Sequence, residues 1–443
     1  MLWIAVAAAM LLAPSLAGAQ TMQTFEEYGV APRDSAMGNA FTGVADDFAA
    51  AFYNPAGLTQ VEGFHLTFGY KFIAPKVTAK LPGYPADRFT NYPQSHYGMM
   101  GLATDLNMPG IINPRYTAPF RFGVAFALTE FLHSYTNYYD QFTPYFFRYQ
   151  DRPIALLPLY VTLAIKFTDW FSIGGGIVVA PSATYIDARV HTDLYLPEAA
   201  YVSQQGLVNR AHAIVKPLAG ILFRIPLAGL ADRLRVGLSW RDEVSVIDGR
   251  GNALNLMVVH IPGASQPLRP IPPMDVPVRT LSGFTPMQVA LGLAWRITEG
   301  ALVSTDTIWK RWHNWQNYFF TAPDPPFHDT FEQRLGVEQR FFTDASWLES
   351  WALRGGWYYQ PTPTPSQNNE WNILDNDKHV FTAGFGLRFD QVLGLIKTPI
   401  NFDAAFQLHY LIPEHIENDQ DRYPPIDTGG LVYSGTAAVE LAW

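Results

Sequence analysis

The sequence predicts an all-β fold: an antiparallel transmembrane β-barrel of about fourteen strands, with an N-terminal hatch (plug) inside the lumen. Three observations point there. Apolar residues alternate with small or charged ones along most of the chain, the linkers between alternating segments are long and short by turns, and the chain ends on an alternating segment closed by Trp443. Composition agrees. Of 443 residues, 48% are hydrophobic and 14% aromatic, while only 16% are charged, against about 25% in an average globular chain. The absence of cysteine excludes a disulfide scaffold, a zinc-thiolate site and a cysteine nucleophile. A net charge of −9 with scattered basic residues carries no nucleic-acid footprint. Helical spans need runs of about 20 apolar residues, and only the N-terminus approaches one.

The first element is that N-terminus. Leu2 to Leu16 form a continuous apolar stretch, followed by Ala17-Gly18-Ala19 and Gln20. This reads as a signal peptide over 1–19, its small-residue cleavage site preceding Gln20, although no Lys or Arg precedes Arg33. An uncleaved anchor is the weaker reading, because the run is short for a span. Export is expected.

Residues 20–62 follow, and they lack alternation. They are rich in small residues, with short helical stretches expected over Ala40 to Ala51 and a stop at Asn54-Pro55, since the residue before proline avoids the helical region. Backbone of this kind cannot face lipid unpaired, so it belongs in the periplasm or inside the barrel. A fourteen-stranded lumen is too wide for wall side chains to fill, which makes room for a plug.

From residue 63 the period is two. Phe64, Leu66, Phe68, Tyr70 and Phe72 interleave with His65, Thr67, Gly69 and Lys71, and Phe381, Ala383, Phe385, Leu387 and Phe389 oppose Thr382, Gly384, Gly386, Arg388 and Asp390. A soluble sandwich would alternate as well. However, in 330–342 the face opposite Phe331, Leu335 and Val337 holds Glu332, Arg334, Glu338 and Arg340. A dry core would have to neutralise those charges; a wet lumen need not. Fourteen strands are expected near 64–74, 97–106, 118–131, 154–168, 170–190, 210–225, 232–248, 284–298, 300–316, 328–343, 348–362, 376–392, 397–413 and 430–443. The irregular second, sixth, ninth and eleventh leave twelve or sixteen open. Linkers after odd strands are long and those after even strands mostly short, apart from 107–117, as in outer-membrane barrels. An even count and a terminal strand ending Val439-Glu440-Leu441-Ala442-Trp443 leave no open edge.

Several motifs resemble the FadL/TodX family of outer-membrane transporters of long-chain fatty acids and aromatic hydrocarbons. They are Met37-Gly38-Asn39-Ala40-Phe41, Ala45-Asp46-Asp47, Tyr53-Asn54-Pro55-Ala56-Gly57-Leu58, Trp240-Arg241-Asp242-Glu243-Val244, Trp312, Arg354-Gly355-Gly356-Trp357-Tyr358, Pro361-Thr362-Pro363, Asp375-Asn376-Asp377-Lys378-His379 and Gly384-Phe385-Gly386, in family order. The resemblance implies a channel in the bacterial outer membrane for passive uptake of hydrophobic compounds. Ligand would be caught between extracellular loops, passed to a lumenal pocket under the hatch and released sideways into the membrane. It also implies that Asn54, Pro55 and Ala56 lie near that pocket, with Phe25 and Tyr28 as contacts from the tail. Expected partners are the hydrophobic small molecule, outer-membrane lipid and the barrel assembly machinery.

Independently of the resemblance, the linkers 191–209 and 249–283 hold Leu196, Leu256 and Val258 among other apolar residues, and a ligand groove is one reason for such residues in a loop. Inward Lys71, Arg121, Arg235 and Arg388 are candidate partners for a ligand carboxylate, or for acids across the lumen. No nucleophile elbow, zinc helix or phosphate loop is present, so no catalytic residue, metal or cofactor is expected, and the chain does not read as an enzyme. Asp375-Asn376-Asp377 lacks the remainder of a calcium loop and reads as solvated loop charge. The competing function is a general porin or a surface-binding barrel (adhesin or receptor) with a merely structural plug.

Overall fold

The computed structural model describes residues 24–80, 94–105, 120–129, 146–147, 158–190, 201–225, 233–245, 251–260, 274–278, 284–315, 322, 325–365, 373–390, 398–417 and 425–443. Fourteen antiparallel strands close a ring. In chain order they are β1 (Phe64–Lys80), β2 (Ser95–Asp105), β3 (Phe120–Thr129), β4 (Leu159–Thr168), β5 (Phe171–Val190), β6 (Tyr201–Arg224) and β7 (Leu234–Arg241). The second half comprises β8 (Met287–Arg296), β9 (Ala301–Arg311), β10 (Thr330–Phe342), β11 (Leu348–Gln360), β12 (Lys378–Phe389), β13 (Ile400–Ile416) and β14 (Ile426–Ala442). Each pairs with its sequence neighbours, β6 pairs with β7 over Leu218–Arg224, and β14 returns to β1 from His65↔Ala442 to Lys80↔Asp427. At that seam Trp443 N–H donates to Phe64 O at 2.8 Å and Phe64 N–H to Trp443 O at 2.9 Å, so the chain's last residue seals its first strand.

The ring is inside out relative to a soluble protein. Along β10, Thr330, Glu332, Arg334, Gly336 and Glu338 are buried while Phe331, Gln333, Leu335, Val337 and Gln339 are exposed. The same inversion puts Phe68, Leu163, Ile177, Leu291, Leu293, Leu353, Phe381 and Phe385 on the outer face, where lipid takes the place of water. The tight turns Asp169-Trp170, 297–300 and 343–347 share one end with Trp443, and exposed Phe167, Trp170, Trp295, Phe342 and Trp347 cluster there. That is the aromatic girdle of the periplasmic interface. No helix among the described residues is long and apolar enough to cross a membrane.

Two expectations need correction. Linkers 191–209 and 249–283 are not wholly loop. β6 begins at Tyr201, Gly251–His260 pairs with its upper end, and Met274–Val278 pairs with Gly251–His260 in turn. Above the ring, β6 has no barrel neighbour on one side, and this unpaired edge recruits the apolar run as a further strand. Nor is Asp375-Asn376-Asp377 solvated. Asp375 and Asn376 are buried, Thr362 Oγ1 donates to Asp375 at 2.9 Å, and Asn376 Nδ2 donates to Ile412 O at 3.0 Å and Thr428 Oγ1 at 2.8 Å. The run ties β11 to β13 and β14 at their upper ends, and the described residues form no metal-binding cluster.

Residues 24–62 fill the lumen as α1 (Thr24–Tyr28), α2 (Pro32–Ala36), α3 (Ala50–Tyr53) and a 3-10 turn over Pro55–Gln60. Asn54 stops α3 in an extended conformation and its side chain accepts from Ala56 N–H to start the next turn, as the Asn-Pro pair predicts. Inward wall positions facing this segment are kept small. A Cβ on Gly174 would fall 2.7 Å from Pro55 Cβ, and one on Gly356 would fall 2.5 Å from the Met37 carbonyl carbon. We expect Gly356→Val to unseat the Met37-Gly38 turn while leaving the strand ladder intact. The check is increased entry of a bulky water-soluble antibiotic into cells whose barrel remains correctly inserted.

Candidate functional site

Above the 3-10 turn the wall divides into two sectors. Among the described residues, the buried inward side chains at this level on β1 to β6 are mainly apolar or aromatic, Ile73, Val77, Tyr97, Met99, Tyr160, Val178 and Leu218, with Lys71 among them. On β7 to β13 ionic and polar side chains are concentrated, with Lys310, Glu332, Arg334, Lys378, Gln407 and His409 all buried beside apolar Ile308 and Val380. The plug's first helix lies where the sectors meet. Phe25 turns to the apolar side, its ring 5.5 Å from Phe52 and 5.9 Å from Tyr160. Glu26 turns to the charged side.

The charged side holds α1 through a dense set of bonds. Glu26 Oε1 accepts from Gln288 at 2.5 Å and lies 2.9 Å from Arg241 Nη2, while its Oε2 is 3.8 Å from Lys310 Nζ. Lys310 also pairs with Glu332, which pairs with Arg334 at 2.6 Å; Arg334 in turn donates to Glu26 O at 3.2 Å and Asn39 O at 3.3 Å. Tyr358 Oη donates to Glu27 O at 2.5 Å, and Lys378 lies 3.6 Å from the Glu27 carboxylate. One turn on, Lys71 donates to Tyr28 O at 2.6 Å and to Gly29 O. Deeper down, Asp306 Oδ2 accepts from both Phe41 N–H and Thr42 N–H, each at 2.9 Å.

Below the plug a chamber of about 230 Å³ opens toward the periplasmic end, lined by ionic side chains such as Arg33, Asp46, Arg340, Arg354 and Asp403. Arg33 bridges plug and wall, pairing with Asp46 and, at 2.9 Å, with Glu338, which also receives Arg354 at 2.6 Å. Burial alone would lift the Asp46 carboxyl, but the Arg33 and Arg235 guanidiniums outweigh it and hold the group below the usual carboxylate range. Asp34 goes the other way. Burial raises it, and Lys71 and the N–H groups of Val30 and Ala31 offset that only in part.

The candidate residues separate by role. Phe25 sits in the apolar sector, and Tyr28 stands at its border with its ring 4.9 Å from His409. Asn54 is committed to the scaffold: Nδ2 donates to Thr42 O and Ile221 O, both at 3.0 Å, and Pro55 and Ala56 pack on Gly174. Leu196 lies outside the described residues. Leu256 and Val258 fall in the added strand, opposite Gln205 and Ser203. Among the inward cations, Arg121 donates to Val61 O at 2.9 Å, Arg235 lies 3.9 Å from Asp46 and Arg388 lies 2.8 Å from Glu349. Sequence reasoning missed Glu26, Asp306 and Tyr160. An acid or polar group at an inward position of an alternating strand marked Asp306 in principle; Glu26 has no comparable signal.

The chain matches the family model described as outer membrane protein transport protein (OMPP1/FadL/TodX) over residues 9–421. It belongs to that family. Alkane uptake protein A of Marinobacter nauticus is 23% identical over 465 aligned positions, covering 99% of this chain and 95% of the relative. Among solved structures, a Pseudomonas aeruginosa FadL homologue superposes with a TM-score of 0.59 at 16% identity, over 97% of this chain and 98% of the other. The P. putida toluene transporter TodX gives 0.56 at 13%, over 94% and 99%. These likenesses bear out the fourteen-stranded outer-membrane barrel, and membership in the family makes the protein an outer-membrane channel for hydrophobic compounds.

Proposed function

We propose that the apolar sector on β1 to β6 is the route of the ligand. A hydrophobic molecule is caught by the extracellular segments around 191–209 and 249–283, descends past Tyr97, Tyr160, Val178 and Leu218, and meets the plug at Phe25 and Phe52. It then leaves sideways into the membrane. The observation that carries this reading is the two-sided lumen. A general porin gains from polar groups around its whole constriction, whereas here the half of the wall on β1 to β6 presents mainly apolar inward side chains beside the plug's first helix, among the described residues. An apolar solute crosses that half without entering water, and its transfer is driven by the same burial that drives folding. Transport is passive, with no cofactor and no catalytic step. Tyr28 flanks the route, Asn54, Pro55 and Ala56 form its floor, and residues 1–19 serve as a cleaved signal peptide. Support for a hydrocarbon ligand comes from the relatives, one an alkane uptake protein and one a toluene transporter.

The test is uptake of radiolabelled oleate, toluene and hexadecane by cells with and without the gene, with labelled sucrose as the porin control. At least one apolar compound should enter faster with the gene, and sucrose should not. Equal entry of every apolar compound with and without the gene would defeat the transport reading; selective entry of sucrose would favour the porin.

A further inference from the structure

A ligand with an acidic headgroup needs a cation whose charge is still available, and each cation bordering the apolar route already faces an acid or backbone carbonyls. Arg241 lies at the foot of that route, with its guanidinium carbon 3.6 Å from the centre of the Phe52 ring and its Nη2 2.9 Å from Glu26 Oε1. Lys310, beyond it, is shared between Glu26 and Glu332. Lys71, on the opposite flank, is taken up by the carbonyls of Tyr28 and Gly29 beside buried Asp34. Nearer the mouth, Lys216 faces Asp242 at 3.4 Å and Arg311 faces Glu243 at 3.3 Å.

We infer that the lumen selects uncharged hydrocarbons over carboxylates, with Glu26 as the specificity-determining residue because it occupies the guanidinium that an acid headgroup would need. The inference rests on the uptake function proposed above and names its substrate class. Its physical basis is charge balance in a poorly solvated space. Bringing a carboxylate to cations that already face acids or carbonyls strips its water and returns little attraction in exchange, whereas a hydrocarbon chain has no charge to desolvate. Glu26 stands one residue after Phe25, so a single turn of α1 presents an apolar contact to the route and withdraws a charge from it.

The experiment measures uptake of labelled palmitate and hexadecane, separately and in competition, in a strain lacking other carriers of either. The expected result for the wild-type chain is hexadecane entry that palmitate does not inhibit. Glu26→Gln keeps the size of the side chain and frees Arg241 from its carboxylate, while Lys310 keeps Glu332. The palmitate-to-hexadecane ratio should then rise about tenfold. Glu26→Asp should leave palmitate excluded, and heat-modifiable mobility on gels confirms that each variant is folded. Wild-type uptake of palmitate equal to that of hexadecane overturns the inference while leaving the uptake function standing. An unchanged ratio in folded Glu26→Gln overturns the role of Glu26. Entry of neither compound overturns both the inference and the reading beneath it.

Discussion

Deleting residues 24–62 is expected to turn a closed barrel into an open pore, with planar-bilayer conductance rising from near zero to the range of a water-filled porin. The reasoning starts from where the backbone hydrogen bonds lie. Every strand of the ring is paired on both sides with its neighbours, so the wall owes none of its ladder to the plug. The plug's own bonds run to inward side chains such as Asp306, Thr382, Lys71 and Arg334. Once it is gone those groups face water, which solvates them as it does the lumen of a porin. The strands should still insert, and the charged sector of the wall should make the pore ion-conducting. A folded, inserted deletion variant that stays electrically silent would mean that other parts of the chain seal the lumen, and the plug would lose its gating role.

How much of this was legible in the sequence depends on the range of the interaction. Strand identity is a local property. The alternation of Phe331, Leu335 and Val337 with Glu332, Arg334 and Glu338 announces which face meets lipid without knowledge of any partner, and most of the fourteen strands follow from such runs, the second, sixth, ninth and eleventh less regularly. The pairing of Gly251–His260 with β6 is not local, since its edge partner lies about fifty residues earlier and its apolar run does not alternate cleanly. The site is less legible still. Phe25 and Tyr28 came from resemblance to the family, and Asn54 from the same motif, which is built for anchoring. Glu26 meets Gln288, 262 positions away, and nothing near Glu26 foretells that contact. Inward charge on a strand can be read from period; the identity of its counter-charge across a lumen cannot.

The second large effect concerns that counter-charge. Glu332→Ala should loosen the upper plug by about 3–5 kcal/mol, the range seen when one partner of a buried ion pair is removed. Glu332 pairs with both Lys310 and Arg334, and all three side chains are almost fully buried, with relative exposures of 1%. Removing the carboxylate therefore leaves two cations with one remaining acid, Glu26, which Arg241 already engages. Water must enter, or α1 must shift so that Glu26 moves closer to Lys310. In either case the bonds from Arg334 to Glu26 O and Asn39 O come under strain, because the guanidinium is no longer held from behind. The expected readout is faster proteolysis within 24–40 and faster amide exchange at Gly29 and Asn39, with the barrel's resistance to heat and detergent little changed. Reversal comes from removing the cation as well: Lys310→Met combined with Glu332→Met replaces the pair with apolar groups of similar length and should recover much of the protection. Glu332→Ala with wild-type proteolysis and exchange would show that the plug is seated from below by Arg33, Glu338 and Asp306, and that the upper ionic layer tunes the route without bearing on the seat.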